Sequence, residues 1–356
     1  MDGIHLSNKI GIVGGGITGL ISAYFLSQEG YKVDLYEKKT LLSETSSKTT
    51  KLIHGGIRYL ENLQFHEVKN GINDRKWWLE NFPDETKLQE IIILSKKKLS
   101  PEIFKFFFGI KVYETFAGRS NIKTGRLYKQ DNLLSLGIKN NISAGISFYD
   151  GLMQESVGQE IIKRCKSNGV NFYENNEIKS IRSEGRIEEK QYKKIIIATG
   201  PWVSSFLKQN KIDTNKTIDY IKGSHLIINR KIKKGLMFRD QKEHRYIFAL
   251  PYQGNLLLGT TEQRVRSPED NHVLDSEVNY LLESINIYID RPINKDEIIK
   301  SYSGVRPLIK SKAQDFHSSS RDFYIQKDHN LLSLFGGKWT TAPSIARNIV
   351  RIVNNE

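Results

Sequence analysis

Residues 9–19 have the sequence KIGIVGGGITG, in which a short apolar segment runs directly into the pattern G-x-G-x-x-G. The apolar segment predicts a buried strand, and apolar residues spaced three and four apart after the glycines predict a helix. Gly14 permits a tight turn, Gly16 lets the backbone approach a pyrophosphate, and Gly19 allows close helix–strand packing. The N-terminus of such a helix offers N–H groups to phosphate. The stretch therefore predicts an α/β fold with a Rossmann-like dinucleotide-binding unit.

A second strand and an acidic residue complete this fingerprint. Gly30 ends the predicted helix, residues 31–36 form the next predicted strand, and Glu37 follows Gly19 by 18 residues. A carboxylate at this place accepts hydrogen bonds from a ribose 2′-OH, which argues against a 2′-phosphorylated cofactor. The glycines do not decide between NAD and FAD, but a fingerprint close to the N-terminus favours FAD.

Length and composition set the broad class. A chain of 356 residues can form a large core and two domains, and 38% hydrophobic with 26% charged residues is ordinary for a soluble protein. The sequence shows no N-terminal signal and no apolar run long enough to cross a bilayer. Cys165 is the single cysteine, and no Cys/His group has the spacing of metal ligands. We therefore expect a cytoplasmic protein without a metal site.

The net charge of +14 favours anionic partners. The lysines are scattered and form no nucleic-acid-binding motif, so we expect no nucleic-acid partner. A phosphorylated small molecule and an acidic membrane surface are the two kinds of anionic partner that the sequence leaves open. The aromatic, lysine-containing residues 103–113 suit either peripheral membrane contact or the core of a substrate domain, and we prefer the core.

Two further stretches suit a cofactor site. Residues 45–61, TSSKTTKLIHGGIRYLE, combine two adjacent glycines with three cationic side chains and have no acid between Thr45 and Glu61. Such a run suits a backbone that lies close to a flat cofactor beside an anionic ligand. Residues 193–202, KKIIIATGPW, predict a parallel strand buried on both faces that ends in a glycine turn at the cofactor edge of the sheet.

These stretches and five others resemble, in the same order, segments of the FAD-dependent glycerol-3-phosphate dehydrogenases, within the amino-acid-oxidase-like flavoprotein superfamily. The segments are KLIHGGIRYLE (51–61), ATGPW (198–202), GSH (223–225), GTT (259–261), SGVRPL (303–308), SRD (320–322) and FGGKWTT (335–341). The resemblance implies non-covalent FAD and a Rossmann-like FAD-binding domain interleaved with a strand-rich α+β substrate domain. We expect the first domain at 1–90, 148–216 and 324–356, and the second at 91–147 and 217–323.

The resemblance also implies which residues form the site. On the flavin side they are Gly14, Gly16, Gly19, Glu37, Ser47, Lys51, Leu52, Gly200, Gly337 and Thr340. On the substrate side they are Arg58, Tyr59, His225, Arg306, Arg321 and Lys338. Considered without the resemblance, His225 is equally well a core histidine, and Arg306 and Arg321 are surface or ion-paired arginines, Arg321 with Asp322.

The roles of the substrate-side residues follow from their chemistry. His225 is our candidate base, because the ordinary pKa of histidine lies near working pH. We expect Arg306 to stabilise the developing alkoxide and Lys338 to polarise the flavin or the substrate oxygen. Arg58 and Arg321 would hold a phosphate through paired N–H donors. These roles can be exchanged among the basic residues.

The implied activity is oxidation of sn-glycerol 3-phosphate to dihydroxyacetone phosphate by hydride transfer to flavin N5, with quinone or oxygen as electron acceptor. Glu262 stands where the family usually has aspartate, and the pair Gln154-Glu155 comes after Asp150 where paired aspartates are common. The sequence ends soon after the last motif, so we expect a short form without the family's C-terminal helical domain. Oxidation of a hydroxy acid or amino acid, and a non-catalytic flavin-binding module, are the alternatives.

Overall fold

The computed structural model describes residues 8–56, 65–96, 107–112, 114–115, 124–243, 245–310 and 323–356. Its strands in chain order are β1 (Lys9–Val13), β2 (Lys32–Tyr36), β3 (Leu52–Ile53), β4 (Thr86–Ser95), β5 (Leu127–Lys129), β6 (Ala144–Met153), β7 (Asn171–Tyr173), β8 (Ile181–Arg182), β9 (Arg186–Ile187), β10 (Lys190–Gln191), β11 (Lys194–Ile197), β12 (Ile218–Ile228), β13 (Gly235–Arg239), β14 (Tyr246–Tyr252), β15 (Asn255–Gly259), β16 (Gln263–Val265), β17 (Ile298–Ile309), β18 (Phe323–Asp328) and β19 (Leu331–Gly336). The main helices are α1 (Ile17–Gln28), α2 (Phe65–Asn81), α3 (Gln130–Leu134), α4 (Val157–Ser167), α5 (Val203–Gln209), α6 (Asp275–Asn286) and α7 (Ala342–Asn355).

A six-stranded sheet contains the glycine fingerprint. Its strand order is β18-β19-β11-β1-β2-β7, and the strands from β19 to β7 pair in parallel, while β18 is antiparallel to β19. Helix α1 is buried along most of its length because α4 and α7 pack against it. The strand–glycine turn–helix–strand unit predicted from residues 9–37 is present, and the predicted α/β class is confirmed.

A ten-stranded sheet forms the second layer. Its order is β16-β12-β15-β14-β13-β4-β6-β3, with β17 paired to β12 and β5 paired to β6. Strands β12 and β17 are antiparallel over a long register, from Ile218 opposite Ile309 to His225 opposite Tyr302. The apolar side of α6 covers this sheet through Leu281 and Ile285. The sheet supplies the strand-rich part of the predicted architecture.

The predicted domain boundaries compare unevenly with these sheets. The boundaries at 90/91 and 147/148 fall inside β4 and β6, which pair with each other along the ten-stranded sheet. The boundary at 216/217 falls just before β12, and that at 323/324 falls at the first residue of β18. The division into two domains therefore stays a prediction.

Two sequence features outside the sheets, the single cysteine and the aromatic residues 103–113, can be compared with the structure. Cys165 is fully buried on α4, and burial raises the pKa of its thiol to about 12, so it packs in the core. Within residues 103–113, Ile110 is buried, but Phe107 and Phe108 are exposed by 47% and 64%. The preferred core placement of this stretch is thus wrong for the two phenylalanines; the residues before 107 lie outside the described part of the chain.

Neither a membrane span nor a metal centre is found in the described part of the chain. Its helices are too short or too polar to cross a membrane. Its His, Cys, Asp and Glu side chains form no group that could hold a metal ion.

Candidate active site

A cavity of about 530 Å³, here called the central cavity, is lined by residues of both large sheets. From the six-stranded sheet come the glycine turn after β1, the residues after β2 and the turn after β11. From the ten-stranded sheet come residues of β12, β14 and β17 and the turn after β15. The cavity therefore joins the fingerprint predicted to bind a dinucleotide to the segments predicted to bind substrate.

The glycine turn brings backbone to the surface of this cavity. Gly14 has a φ of +111°, and a Cβ there would clash with the carbonyl of Ala198 at the end of β11. A Cβ at Gly19 would clash with the carbonyl of Gly14, so α1 can lie directly on the turn only without a side chain there. The N-cap residue Gly16 has no side chain to cap α1, Ser46 Oγ accepts a hydrogen bond from Ile17 N at this helix end, and Gly16 to Thr18 line the cavity. The N-terminal end of the helix is thus directed at the cavity.

Glu37 is fixed beside the same turn. Its Oε2 accepts a hydrogen bond from Gly15 N at 2.7 Å, and its Oε1 accepts one from Lys39 N at 2.9 Å. The carboxylate lines the cavity at the end of β2 and retains further lone pairs for a hydroxyl donor. Nearby, the Thr199 hydroxyl is buried without a hydrogen-bond partner among the described residues. Helix end, glycine turn, carboxylate and hydroxyl together fit a dinucleotide such as FAD.

The loop at residues 45–56 runs along the cavity. Ile17 N donates a hydrogen bond to Ser46 Oγ at 3.0 Å, which ties this loop to α1, and Trp339 Nε1 donates to Ser46 O at 2.8 Å. Lys51 Nζ donates to Ser47 O at 2.9 Å. Ser47 Oγ donates to Glu44 O at 2.8 Å, so both side chains brace the loop, and neither residue is among those that line the cavity. Their predicted contact with FAD stays a prediction.

A buried ion pair anchors the end of that loop. Asp150 Oδ1 accepts hydrogen bonds from Gly55 N at 3.0 Å and from Arg75 Nη1 at 3.1 Å. Both charged side chains are about 2% exposed. Gly71 on α2 completes the packing, because a Cβ there would approach Gly55 O to 2.9 Å. The adjacent His54 lines the central cavity. It belongs to the quoted stretch 45–61 but was not among the predicted site residues.

His225 lies in β12 with its ring in the cavity wall. Its Nε2 is hydrogen-bonded to Thr50 Oγ1 at 2.9 Å, and its ring stacks on Tyr302 at a centroid distance of 5.0 Å. A Cβ at Gly259 would clash with the imidazole, so the ring fits here because β15 carries a glycine. Burial, followed by the positive charges of Arg306 and Lys51, lowers the pKa of His225 to about 3. The imidazole is therefore neutral at physiological pH.

Arg306, Glu262 and Arg245 form a chain of charges in the same wall. Arg306 Nη1 donates to Glu262 Oε1 at 3.0 Å, and Arg245 Nη2 lies 3.2 Å from Glu262 Oε2. Arg306 Nη2 also donates to Thr260 Oγ1 at 3.2 Å. This contact passes directly above Gly223, because a Cβ at that position would clash with Arg306 Nη2 and with Thr260 Oγ1. In the sequence, Glu262 stood out only as a departure from the family pattern, and no motif marked Arg245. The sequence signal that could have identified Arg245 is its position directly before the apolar strand β14.

A second buried network holds the turn that carries Glu262. Glu277 Oε1 accepts hydrogen bonds from Thr261 Oγ1 at 2.7 Å and from Ser224 Oγ at 2.9 Å. Glu277 Oε2 pairs with the buried Lys222 Nζ at 2.8 Å. Thr261 and Ser224, which directly precede Glu262 and His225, are thereby fixed to the N-terminal turn of α6.

The segment between β19 and α7 closes the cavity. Gly336 and Gly337 have φ values of +73° and +88°, and Lys338 N donates to Thr341 Oγ1 at 2.9 Å. Thr341 occupies the N-cap position of α7 without capping it through its side chain. Thr340 is held by α2, because Trp78 Nε1 donates to its carbonyl at 3.3 Å. The N-terminal end of α7 is thus set against the cavity.

The structure brings most of the described predicted site residues together. The cavity wall contains Gly14, Gly16, Glu37, Leu52, Gly200, His225, Arg306, Gly337, Lys338 and Thr340. Gly19, Ser47 and Lys51 are not among the lining residues. Arg58, Tyr59 and Arg321 lie outside the described residues, so their predicted roles stay predictions. Asn176, Glu177 and Ile178 line the cavity near Glu37 and were missed, because no motif marks them.

Known proteins resemble this chain over nearly its whole length. A family model described as FAD dependent oxidoreductase matches residues 9–352. The aerobic glycerol-3-phosphate dehydrogenase of Staphylococcus saprophyticus is 30% identical over 368 residues, which cover 96% of this chain and 66% of that protein. The chain therefore spans about two thirds of the length of this relative.

Solved structures show the same fold. The glycerol-3-phosphate dehydrogenase of Bacillus halodurans in complex with FAD superimposes with a TM-score of 0.75 at 21% identity, over 100% of this chain and 65% of that chain. The L-α-glycerophosphate oxidase of Mycoplasma pneumoniae with FAD bound gives a TM-score of 0.77 at 20% identity, over 97% of this chain and 94% of that chain.

Proposed function

The chain belongs to the FAD dependent oxidoreductase family, and from this premise we propose that it oxidises sn-glycerol 3-phosphate at C2 to dihydroxyacetone phosphate. The names of its relatives support this substrate, and so do the basic residues gathered at one cavity. This chain matches about two thirds of the length of that relative, so the activity of the whole relative is extended to it here as a proposal.

FAD is the cofactor of this family, and when bound it supplies a hydride acceptor at flavin N5. We propose that the glycine turn and the N-terminal end of α1 hold its pyrophosphate. The Glu37 carboxylate would accept hydrogen bonds from the ribose. The positive end of α7, which begins just after the cavity-lining Thr340, would stabilise negative charge near the flavin ring, and Gly337 would lie against that ring.

The observation that carries the proposal is that the buried imidazole of His225 and the hydrogen-bonded guanidinium of Arg306 line the same cavity wall. Oxidation of a secondary alcohol requires a group that accepts the hydroxyl proton. His225 is neutral and so retains a lone pair, and we assign the accepting atom to Nε2, whose partner Thr50 lines the cavity. Arg306 would stabilise the alkoxide that develops as this proton leaves.

Substrate binding would also adjust the basicity of His225. Besides burial, the positive charges of Arg306 and Lys51 lower its pKa. A phosphate dianion offsets positive charge and therefore raises the pKa of the imidazole. Proton acceptance would thus become favourable when the phosphorylated substrate is bound. We propose that Arg58, Tyr59 and Arg321 bind this phosphate and that Lys338 polarises the reacting oxygen.

One anaerobic titration tests the reaction. Purified protein with its bound flavin is mixed with glycerol 3-phosphate, and the visible absorbance of the flavin is followed. We expect bleaching at roughly one equivalent of substrate. Bleaching by lactate or glycine but not by glycerol 3-phosphate would assign the protein to hydroxy-acid or amino-acid oxidation. No bleaching by any of these compounds would support a non-catalytic flavin-binding protein.

We further propose quinone or oxygen as electron acceptor and a cytoplasmic protein with peripheral contact to the inner face of the membrane. The net charge of +14 supports an acidic surface as partner. The exposed Phe107 and Phe108 lie beside the exposed Lys111, a combination that suits a membrane interface. In a flotation assay, a fraction of the protein should rise with vesicles that contain anionic lipid. Replacing Phe107 and Phe108 with serine should reduce this vesicle-bound fraction. Equal flotation of both proteins would contradict the contact.

A further inference from the structure

Arg245 is a buried arginine of the central cavity to which the proposed reaction gives no role. Its side chain is 5% exposed, and Nη2 lies 3.2 Å from Glu262 Oε2. Nη1 lies 3.7 Å from a carboxylate oxygen of Glu243, which is longer than a hydrogen bond. Nε and Nη1 have no hydrogen-bond partner among the described residues. Buried guanidinium N–H groups without a partner are costly, which points to a ligand.

Hydrogen bonds hold the backbone on both sides of position 244. Asp240 N donates to Arg245 O at 2.8 Å, which joins the two ends of the segment between β13 and β14. Asp240 Oδ2 accepts from the backbone N–H groups of Lys242 and Glu243 at 2.9 and 2.6 Å. Asp240 Oδ1 accepts from Ser284 Oγ on α6 at 3.0 Å. Arg245, which directly precedes β14, is thus anchored through its backbone carbonyl and lines the cavity.

Glu262 does not satisfy the whole Arg245 guanidinium. Its Oε2 lies near Nη2 of Arg245, while its Oε1 accepts from Arg306, and its side chain is 6% exposed. Glu243 is 52% exposed and 3.7 Å from Nη1, so solvent weakens its contribution. Nε and Nη1 of Arg245 are therefore buried donors that Glu262 does not engage, and such groups are costly unless an acceptor pairs with them. An anionic ligand would supply these acceptors.

We propose that Arg245 is a further anion-binding residue of the central cavity, and that it receives the acidic group of the bound substrate through the N–H groups that Glu262 does not engage. Identification of this group as a phosphate rests on the proposed function; a carboxylate would be bound by the same chemistry. Glu262 would then orient both Arg245 and Arg306 towards the same ligand.

The test compares anion binding with turnover of an uncharged compound. Inorganic phosphate is titrated into the oxidised holoenzyme, and its binding is measured from the change in the flavin visible spectrum. We expect Arg245→Gln to weaken phosphate binding by roughly 30-fold or more, as for removal of one partner of a buried charged hydrogen bond. Arg245→Lys keeps the charge without the planar fork and should lie between this variant and wild type. Arg264→Gln is the matched control, because Arg264 is 53% exposed, pairs with Asp219 and does not line the cavity.

The outcomes separate ligand contact from structural support. Phosphate binding by Arg245→Gln equal to that of wild type would overturn the proposal, and so would wild-type protein that does not bind phosphate. Equal losses of kcat/KM for glycerol and glycerol 3-phosphate would also overturn it, since Arg245 would then act through Glu262 and Arg306. If Arg245→Gln does not retain flavin, Arg245→Lys decides the question, because it preserves the buried charge.

Failure of the proposed function gives a different pattern. If glycerol 3-phosphate does not reduce wild-type flavin but a carboxylate substrate does, the proposed reaction is wrong. The phosphate titration of Arg245→Gln still measures anion binding in that case. If glycerol 3-phosphate reduces the flavin and the variant binds phosphate normally, the reaction stands and the role of Arg245 is rejected.

Discussion

The carboxylate of Asp150 accepts a hydrogen bond from the backbone N–H of Gly55 at 3.0 Å, across 95 positions of sequence. The same oxygen accepts from Arg75 on α2, and both charged side chains are almost completely buried. One ion pair thus joins a strand of the ten-stranded sheet, a helix and the loop that lines the cavity at Leu52 and His54. The position of that loop depends on a charge balance in the protein interior.

Asp150→Asn should destabilise the protein and loosen its hold on the cofactor. Removal of the negative charge breaks a buried ion pair, which costs roughly 3–5 kcal/mol. Urea unfolding gives the free energy, and flavin absorbance after gel filtration gives the retained cofactor. Glu283→Gln, at the exposed pair with Lys242, is the control and should leave both nearly unchanged. Equal stability of Asp150→Asn and wild type would show that the pair is not needed.

His225→Asn should slow reduction of the flavin by glycerol 3-phosphate. Loss of a positioned proton acceptor costs on the order of 10²–10⁴-fold in rate. Flavin content should stay normal, because β12 belongs to the ten-stranded sheet. Stopped-flow absorbance measures the rate under anaerobic conditions. A rate near that of wild type across neutral pH would exclude His225 as the base and direct attention to His54.

The buried His225 should also make stability depend on pH. Its pKa is about 3 in the folded protein, against an ordinary histidine value of 6.5, so below about pH 6.5 the unfolded chain binds the extra proton. The free energy of unfolding therefore falls as pH drops from 7 towards 5, by at most about 1.4 kcal/mol per pH unit from this residue. His225→Asn should show a shallower slope than wild type. His329→Asn should keep the wild-type slope, since His329 is 78% exposed; equal slopes in all three proteins would contradict the lowered pKa.

Arg321→Met should affect the phosphorylated substrate selectively. If Arg321 pairs with the phosphate, its loss lowers kcat/KM for glycerol 3-phosphate by roughly 30-fold or more. Turnover of plain glycerol should hardly change, because glycerol has no phosphate to lose. Steady-state dye reduction with both substrates measures the contrast. Equal losses would assign Arg321 to structure or chemistry, and no loss on either would leave it a surface residue paired to Asp322.

The flavin should be released without breaking a covalent bond. Cys165, the only cysteine, is buried in the core with its thiol pKa raised to about 12, so it is a poor nucleophile. Acid precipitation should leave a yellow supernatant with the chromatographic behaviour of FAD. A yellow pellet under a colourless supernatant would indicate a covalent linkage through another residue.

Local sequence patterns predicted the parts of this molecule that local physics decides. The fingerprint around Gly14 and the strand ending at Ile197 are determined by periodicity and by turns that need glycine. Arg245 was missed because its importance arises from a turn fixed by Asp240 and from a carboxylate in another strand. For the same reason the sequence could not show that Lys51 turns back to its own loop, where it donates to Ser47 O. Motif resemblance supplied Arg306 and Lys338, whereas pairing across the fold required the structure.

The order of the six-stranded sheet has a consequence for how the protein is made. The fingerprint strand β1 is synthesised early, yet its neighbour β11 comes more than 180 residues later, and β19 and α7 follow only after residue 330. Contacts this distant along the chain fold slowly, because loop closure must precede them. A nascent chain on the ribosome therefore displays its glycine turn long before it can retain a flavin. FAD binding would therefore require synthesis to have passed Thr340. Chains that are interrupted before this residue should bind no flavin and be colourless.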